Sequence, residues 1–166
     1  MSKKFHHAFG VYGIITINGQ LVVIKKTGGP YLNRYDLPGG SLDDGEPLDH
    51  AIGREIHEET QLTVEQAVQL GTTSFRYPWR YQNWTFNQHI CVFYEITKYT
   101  GSLATAVPQF VGQDALGAVT MSLDQLTIAN ASPLVLKATE YLKSQRHFEP
   151  HDQYFETWPV LAKPVF

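Results

Sequence analysis

The chain has 166 residues, of which 43% are hydrophobic and 17% are charged, and its formal net charge is −3. This balance excludes the basic surface that nonspecific nucleic-acid binding requires, and no run approaches the roughly 18 apolar residues of a membrane-spanning helix. Cys91 is the single cysteine, which excludes an intramolecular disulfide and favours the reducing cytoplasm. We expect one domain over residues 1–166, because a chain of this length buries one substantial core.

The chain begins with a predicted β-hairpin. Residues 11–17 and 21–24 are rich in β-branched residues, and the Asn-Gly turn at residues 18–20 is a strong hairpin signal between them. We therefore expect these two strands to pair with each other. A further short strand is predicted at residues 35–42, interrupted by the Pro-Gly-Gly sequence at residues 38–40.

Two helices and three further strands are predicted in the rest of the chain. The first helix covers residues 47–60, with Pro47 at its first position and Glu46 as its N-cap. The later elements are strands at residues 68–77, 84–99 and 118–123, a helix at residues 132–145, and an aromatic and proline-rich extension without a clear period at residues 146–166. Their order favours an α/β fold in which helices cover a mixed β-sheet.

The first helix carries three carboxylates on or beside its apolar face. At about 100° per residue, Glu55 and Glu59 fall inside the apolar arc and Glu58 lies next to it. Each like-charged pair at this spacing costs about 0.2 to 0.5 kcal/mol, and burial costs more unless a cation or a proton neutralises the charge. The pattern indicates a site for a hard divalent cation such as Mg²⁺ or Mn²⁺. The alternative is a solvated acidic helix face with Arg54 as its counter-charge.

The segment around these carboxylates resembles the Nudix box, whose pattern is G-x5-E-x7-R-E-U-x-E-E-x-G-U with U an aliphatic residue. Eight of its nine fixed positions match in this chain, at Gly40, Glu46, Arg54, Glu55, Ile56, Glu58, Glu59 and Leu62. The exception is Gln61, which replaces the family glycine. Glycine at that position suits a left-handed helix cap, so Gln61 either accepts strain or lets the helix end differently.

The resemblance implies a fold, an activity and a set of metal ligands. The expected fold is the Nudix α/β/α sandwich, and the expected reaction is metal-dependent hydrolysis of a pyrophosphate bond in a nucleoside diphosphate linked to another moiety. Mg²⁺, or Mn²⁺, would be held by Glu55, Glu58, Glu59 and the backbone carbonyl of Gly39. By motif position Glu55 and Glu58 are the expected catalytic residues, with Glu55 the candidate base unless a distant loop supplies a glutamate.

Further residues are assigned by the resemblance or by their chemistry. Glu46 and Arg54 correspond to an ion pair that orients the box helix, although Arg54 could be only a solvated charge. Asp114 resembles an additional acidic metal ligand of the family, the alternative being an ordinary loop aspartate. The substrate-binding candidates are Lys25 and Lys26 for phosphate, and Arg76, Trp79 and Arg80 for a base and phosphates, the alternative for the last three being an ordinary aromatic hairpin.

The expected partner is a small nucleotide-type molecule, without nucleic acid or membrane. The RNA 5′ end is disfavoured as a substrate because the chain is acidic and lacks a basic stripe. The alternative function is a noncatalytic Nudix module that binds or senses a nucleotide. The apolar extension at residues 146–166 is expected to pack on its own domain or across a homodimer.

Overall fold

The computed structural model describes residues 2–166, which form two sheets and two α-helices. The first half contains strands β1 (Phe5–Ile14), β2 (Thr16–Ile17), β3 (Gln20–Lys26), β4 (Tyr35–Asp36) and β5 (Gly39–Gly40), followed by helix α1 (Leu48–Thr60). The second half contains β6 (Thr63–Tyr81), β7 (Trp84–Thr100), β8 (Ala115–Met121), helix α2 (Pro133–Lys143) and β9 (Gln153–Tyr154).

One sheet is mixed and has the strand order β5-β1-β7-β6-β9, while the other joins β2, β3, β4 and β8. In the mixed sheet β1 runs parallel to β7, and β6 and β7 form a long antiparallel hairpin. The predicted fold class, a mixed sheet with helices on its faces, is confirmed. Neither helix within residues 2–166 has the length and apolar character needed to cross a membrane.

Both faces of strand β3 are buried, because a helix packs on each side of it. Successive residues of a strand point to opposite faces. In β3, Leu21 and Val23 pack with α2, whereas Val22 and Ile24 pack with α1. The middle of β3, residues 21–24, therefore reads as a continuous apolar run and not as an alternating pattern.

The predicted hairpin between residues 11–17 and 21–24 was wrong in part. Thr16–Ile17 pairs with β3 as expected, but β1 leaves that sheet and pairs with β7. The strand predicted at residues 35–42 likewise divides between the two sheets, since β4 pairs with β3 and β5 pairs with β1. The sequence is uniformly β-forming across the first break, so only the distant partner strand decides where the chain changes sheet.

Helix α1 begins and ends differently from the prediction. Its N-cap residue is Pro47 without a side-chain cap, so the assignment of Glu46 as the N-cap was wrong. At the C-terminus Gln61 takes the left-handed conformation, with φ 63° and ψ 9°, where the family has glycine. Its backbone N–H and its side-chain Nε2 both donate to the carbonyl of His57, at 2.9 and 3.0 Å.

The segment at residues 146–166 packs on its own domain. Trp158 is 9% exposed, and its ring lies 5.1 Å from that of Tyr77. Its indole Nε1 donates to the carbonyl of Pro30 at 2.8 Å. β9 adds to the mixed sheet beside β6, and Asp152 accepts hydrogen bonds from the Ser74 amide and hydroxyl at 2.8 and 2.9 Å. The segment therefore supports the sheet that carries one wall of the cleft described below.

Replacing Trp158 by alanine should lower the free energy of unfolding by about 3 to 5 kcal/mol, because a large buried ring and its hydrogen bond are both lost. Val160→Ala is the matched control in the same segment, since Val160 is 43% exposed and should change stability by less than about 0.5 kcal/mol. Urea unfolding of the three proteins measures both values. Equal stability of the Trp158→Ala protein and the control would show that the segment is only a passive extension.

Replacing Gln61 by glycine should raise stability by about 0.5 to 1 kcal/mol, because a Cβ is disfavoured in the left-handed conformation. Gln61→Ala keeps the Cβ and removes the side-chain hydrogen bond. The difference in stability between the alanine and glycine variants therefore measures the strain that the Cβ causes in the left-handed conformation. Thermal unfolding should give the order glycine, glutamine, alanine from most to least stable, with turnover changed only a fewfold. A glycine variant less stable than the alanine variant would contradict the strain.

Candidate active site

The three box glutamates of α1 line one cleft with graded burial. Glu59 is only 2% exposed, and the side chains of Glu55 and Glu58 are 13% and 32% exposed. The carboxylate of Glu59 accepts a hydrogen bond of 2.8 Å from the Gly39 amide. The helix therefore directs its acidic side chains inward, as its periodicity predicts.

Strand β5 places the backbone directly against these carboxylates. Gly39 has φ 145°, and a Cβ there would overlap the carbonyl oxygen of Val11. A Cβ at Gly40 would lie 2.8 Å from both carboxylate oxygens of Glu55. Glycine at both positions lets the chain approach the acidic group closely, and it brings Gly39 to the site expected to hold the cation.

Arg54 connects the loop before α1 to the acidic cluster. Its Nε and Nη2 each donate to the Glu46 carboxylate at 2.8 Å, a bidentate pair that lowers the pKa of Glu46. Its Nη1 also lies 3.1 Å from Glu55 and 3.3 Å from Glu58. The guanidinium thus fixes the start of the helix and partly neutralises two of the inward charges.

Burial raises the pKa values of the two most enclosed carboxylates. Desolvation raises the pKa of Glu55 to about 7 despite the opposing charge of Arg54. Desolvation also raises the pKa of Glu59 well above its ordinary value, although Lys26 and the Gly39 amide act in the opposite direction. A cation that compensates the charge of these two carboxylates would therefore bind in competition with their protons.

Lys26 and Asp114 meet at the opposite wall of the cleft. Their ammonium and carboxylate groups are 2.6 Å apart, and the Lys26 side chain is only 12% exposed. Desolvation lowers the pKa of Lys26, but the charges of Asp114, Asp36 and Glu59 more than offset it, so the net shift is upward. The Thr27 amide donates to the Asp114 carbonyl at 2.7 Å, which fixes this loop beside the end of β3.

Two adjoining clefts meet at the acidic cluster. One, of about 300 Å³, has a largely aromatic wall that includes His6, Phe9, Tyr12, Tyr31 and Trp79. The other, of about 360 Å³, is lined by the box glutamates, Asp43 and the exposed loop containing Phe110 and Val111. Both clefts are bordered by Ser41, Glu55, Gly112 and Asp114. A ligand that spans the junction can therefore place different groups on either side of Glu55.

The structure brings some of the predicted substrate-binding residues to the aromatic cleft and leaves others outside it. Lys26 and Trp79 line the cleft, whereas Lys25, Arg76 and Arg80 do not. The strand period explains the difference, because adjacent residues of β3 and β6 face opposite sides. The guanidinium of Arg76 lies 5.6 Å from the ring of Tyr154 in the C-terminal segment.

Sequence reasoning did not find Asp36, Asn87 and His89, which are buried polar residues of the cleft wall. Asp36 accepts hydrogen bonds from the Ser132 hydroxyl at 2.5 Å and the Leu37 amide at 2.9 Å, and burial raises its pKa to about 6. Asn87 and His89 are two residues apart on β7 and share a face. The residue between them, Gln88, is also polar, so the sequence contains no clear signal for this pair.

The carboxylate oxygens suit a hard divalent cation, but their present partners are protein groups. Among residues 2–166 no three His, Cys, Asp or Glu side chains are arranged as a ready metal-binding cluster. Arg54 contacts Glu55 and Glu58, Lys26 contacts Asp114, and Gly39 contacts Glu59. Carboxylates with raised pKa values are the ones that a bound cation would stabilise most. The cation would take the place of their protons and of Arg54, the basic side chain that Glu55 and Glu58 share.

The pKa of Glu55 predicts a pH-dependent stability in the absence of metal. The folded protein holds this proton more tightly than the unfolded chain, so the stability contribution of Glu55 falls as the pH rises from the ordinary value of 4.5 to about 7 and is constant above. Glu55→Gln should therefore gain about 1 to 3 kcal/mol relative to the parent across this window. Urea unfolding in chelator at pH 4.5 to 8.5 measures the difference, and a difference independent of pH would contradict the buried proton.

Comparison with known proteins agrees with the box and the fold. The NUDIX domain family matches residues 4–144. An ADP-ribose pyrophosphatase from Methanocaldococcus jannaschii is 38% identical over 69 residues, which cover 42% of this chain and 41% of that protein. The chain thus matches about two fifths of the length of this curated relative.

Solved structures share the fold at low sequence identity. A MutT NUDIX hydrolase from Burkholderia pseudomallei superposes with a TM-score of 0.65 at 22% identity, covering 81% of this chain and 97% of the other. The NUDIX domain of NrtR from Shewanella oneidensis, crystallised with ADP ribose, has a TM-score of 0.53 at 16% identity and covers 85% and 87% of the two chains. The family match extends over most of the chain and includes the helix whose carboxylates form the cleft, and the chain therefore belongs to the Nudix family.

Proposed function

We propose that this protein is a divalent-metal-dependent pyrophosphohydrolase that acts on a nucleoside diphosphate linked to another moiety. The observation that carries this proposal is the convergence of Glu55, Glu58 and Glu59 in one cleft, with Glu55 at its junction with the aromatic cleft. Two of these carboxylates have raised pKa values, so the folded protein retains a costly acidic cluster that a cation would relieve. A solvated acidic helix face would not bury Glu59 to 2% exposure.

Mg²⁺, or Mn²⁺, would be held by the three box glutamates, with the Gly39 carbonyl and Asp114 as further candidate ligands. When bound, the ion supplies charge neutralisation at the pyrophosphate and a more acidic water. Glu55 is the candidate general base by its position in the box, unless a glutamate from a distant loop takes this role. Glu58 is the most exposed box carboxylate, and it can change partner from Arg54 to the cation with little disturbance.

Binding and orientation of the substrate are assigned to residues on both sides of the junction. Lys26 ends β3 inside the aromatic cleft and is positioned to hold a phosphate once Asp114 has another cation to bind. Trp79 and the neighbouring aromatic residues offer flat surfaces for a base. The second cleft leaves room beyond Glu55 for the other moiety. Glu46 and Arg54 orient the helix that carries the ligands.

ADP-ribose is the first substrate to test, since the similar archaeal protein is an ADP-ribose pyrophosphatase and a structurally similar domain was crystallised with ADP ribose. Its adenosine and ribose ends also match the requirement for groups on both sides of a pyrophosphate. We propose a cytoplasmic location, which the lone Cys91 supports. The noncatalytic binding module is the alternative, and it predicts ligand binding without products.

Turnover should require Mg²⁺ or Mn²⁺ and should fall by at least about 100-fold in Glu58→Gln and Glu59→Gln, because each variant loses charge compensation at the reacting phosphate. Glu65→Gln is a matched control, since Glu65 forms a salt bridge with Lys98 away from the cleft. Phosphate and nucleotide products are measured over a panel of nucleoside diphosphate derivatives. Undiminished activity in folded variants would refute the assigned site, and binding by the parent without turnover would favour the noncatalytic module.

Asp114→Asn should mainly raise the Mg²⁺ concentration needed for half-maximal turnover, by about three- to tenfold, because a weak additional ligand is lost. Asp124→Asn is the control, since Asp124 forms a comparable ion pair with Lys143 at 2.7 Å on the surface. Metal titrations of the initial rate measure both variants. Titration curves that overlay the parent curve would show that Asp114 serves only as the partner of Lys26.

A further inference from the structure

A continuous chain of hydrogen bonds runs beneath the aromatic cleft and ends at the acidic junction. It is buried along most of its length and joins residues of β1, β6 and β7 to Tyr31, which lies in the short 3-10 turn Gly29–Tyr31. Its members, in order, are His6, Asn87, Tyr77, Tyr31, His89 and Tyr12, linked by contacts of 2.9, 2.9, 2.9, 2.9 and 2.7 Å. Within residues 2–166 neither the three box glutamates nor Arg54 forms a hydrogen bond with a member of this chain, so the proposed chemistry does not account for it.

The donor-to-acceptor direction along this buried hydrogen-bond chain follows from counting the protons of its members. The amide Nδ2 of Asn87 donates to the Tyr77 hydroxyl, while the Oδ1 of Asn87 faces the ring nitrogen of His6. A phenol has one proton, so Tyr77 donates that proton to the Tyr31 oxygen. The proton of Tyr31 then has one remaining partner, the Nδ1 of His89.

His89 continues the same donor-to-acceptor direction to Tyr12. Desolvation by burial, with smaller contributions from Lys26 and His6, lowers the pKa of His89 to about 3, so its ring is neutral at physiological pH. A neutral imidazole carries one N–H. Because Nδ1 accepts from Tyr31, Nε2 holds the proton and donates it to the Tyr12 oxygen at 2.7 Å.

Tyr12 is consequently left with a hydroxyl proton that has no acceptor. Its hydroxyl contacts only His89 among the hydrogen-bonding groups of residues 2–166, although Tyr12 is just 6% exposed. Burying a donor without an acceptor is unfavourable, so a partner from outside the chain is expected. A Cβ at Gly10 would lie 2.6 Å from this hydroxyl, so glycine there keeps the space around it free.

The position of Tyr12 identifies the acceptor. Tyr12 pairs with Gly39 across β1 and β5, and the Gly39 amide binds Glu59. Tyr12 also lines the same cleft as Glu55 and Lys26. We propose that the Tyr12 hydroxyl donates a hydrogen bond to a phosphate oxygen of the substrate, and that His89 is a positioning residue that keeps Tyr12 a donor. The identity of this ligand rests on the proposed pyrophosphohydrolase function.

The opposite sense of the chain is electrostatically unfavourable. If Tyr12 donated to His89, its oxygen lone pairs would face a cleft that contains Asp36 and that, under the proposed function, receives an anionic substrate. Pointing a proton toward anionic groups lowers the energy, whereas pointing lone pairs toward them raises it. The proton count from Asn87 and the charge of the cleft therefore agree on the same arrangement.

The first test measures ligand binding by titration calorimetry with Mg²⁺. Methylenediphosphonate supplies a nonhydrolysable diphosphate without a nucleoside, and adenosine supplies a nucleoside without phosphate. Tyr12→Phe should weaken diphosphonate binding about tenfold, the loss of one hydrogen bond to a charged group, and should change adenosine binding less than twofold. Tyr94→Phe, a buried substitution outside the cleft, should match the parent. Diphosphonate binding by Tyr12→Phe within twofold of the parent overturns the proposal.

The second test reads the tautomer of His89 in the parent protein and needs no variant of Tyr12 to fold. Nitrogen-15 NMR of histidine-labelled protein, with the His89 signal identified by its absence in His89→Gln, should show the neutral Nε2–H form from pH 6 to 8. The Nδ1–H form or a doubly protonated ring overturns the proposal. Diphosphonate binding by a parent that turns over no nucleotide would refute the proposed function while leaving the Tyr12 test valid.

Discussion

The inward acidic face of α1 is the constraint on which the rest of the site depends. Glu59 is 2% exposed and receives the amide of Gly39, while Gly40 leaves no room for a Cβ beside Glu55. A carboxylate in such a position is costly to ionise, which is why its pKa rises. Strand β5, helix α1 and the loop before it bring the carboxylates together, so that under the proposed function one group of cations would neutralise them.

Two basic side chains of the protein itself neutralise part of this negative charge. Arg54 binds Glu46 while reaching Glu55 and Glu58, and Lys26 holds Asp114 from the other wall. A bound divalent ion would compete with Arg54 for Glu55 and Glu58, and a bound phosphate would compete with Asp114 for Lys26. Arg54 would keep its bidentate partner Glu46, whereas Lys26 would be released toward the substrate. The site therefore contains an internal set of charges that a bound metal–pyrophosphate pair can replace.

The sequence predicts those parts of this arrangement that depend on residues close together in the chain, and it fails for parts that depend on distant strands. The box helix is local, so its periodicity placed Glu55 and Glu59 inward and only its N-cap was wrong. The pairing of β1 with β7 joins residues about 80 positions apart, and an unbroken β-rich run conceals the change of sheet. The roles of His89 and Tyr12 depend on neighbours from other strands and from the turn that contains Tyr31. The strand period separates Trp79 from Arg76 and Arg80, but the sequence alone does not show which face of β6 lines the cleft.

The central claim is that a cation binds the acidic cluster in competition with protons on its most buried carboxylates, Glu55 and Glu59. Titration calorimetry with Mn²⁺ at pH 7, in buffers of different ionisation enthalpy, counts the protons released on binding. Because the pKa of Glu55 is about 7 and that of Glu59 is also raised, we expect binding with release of about one proton per protein. Binding heats that do not depend on the buffer, or the absence of Mn²⁺ binding, would contradict the account.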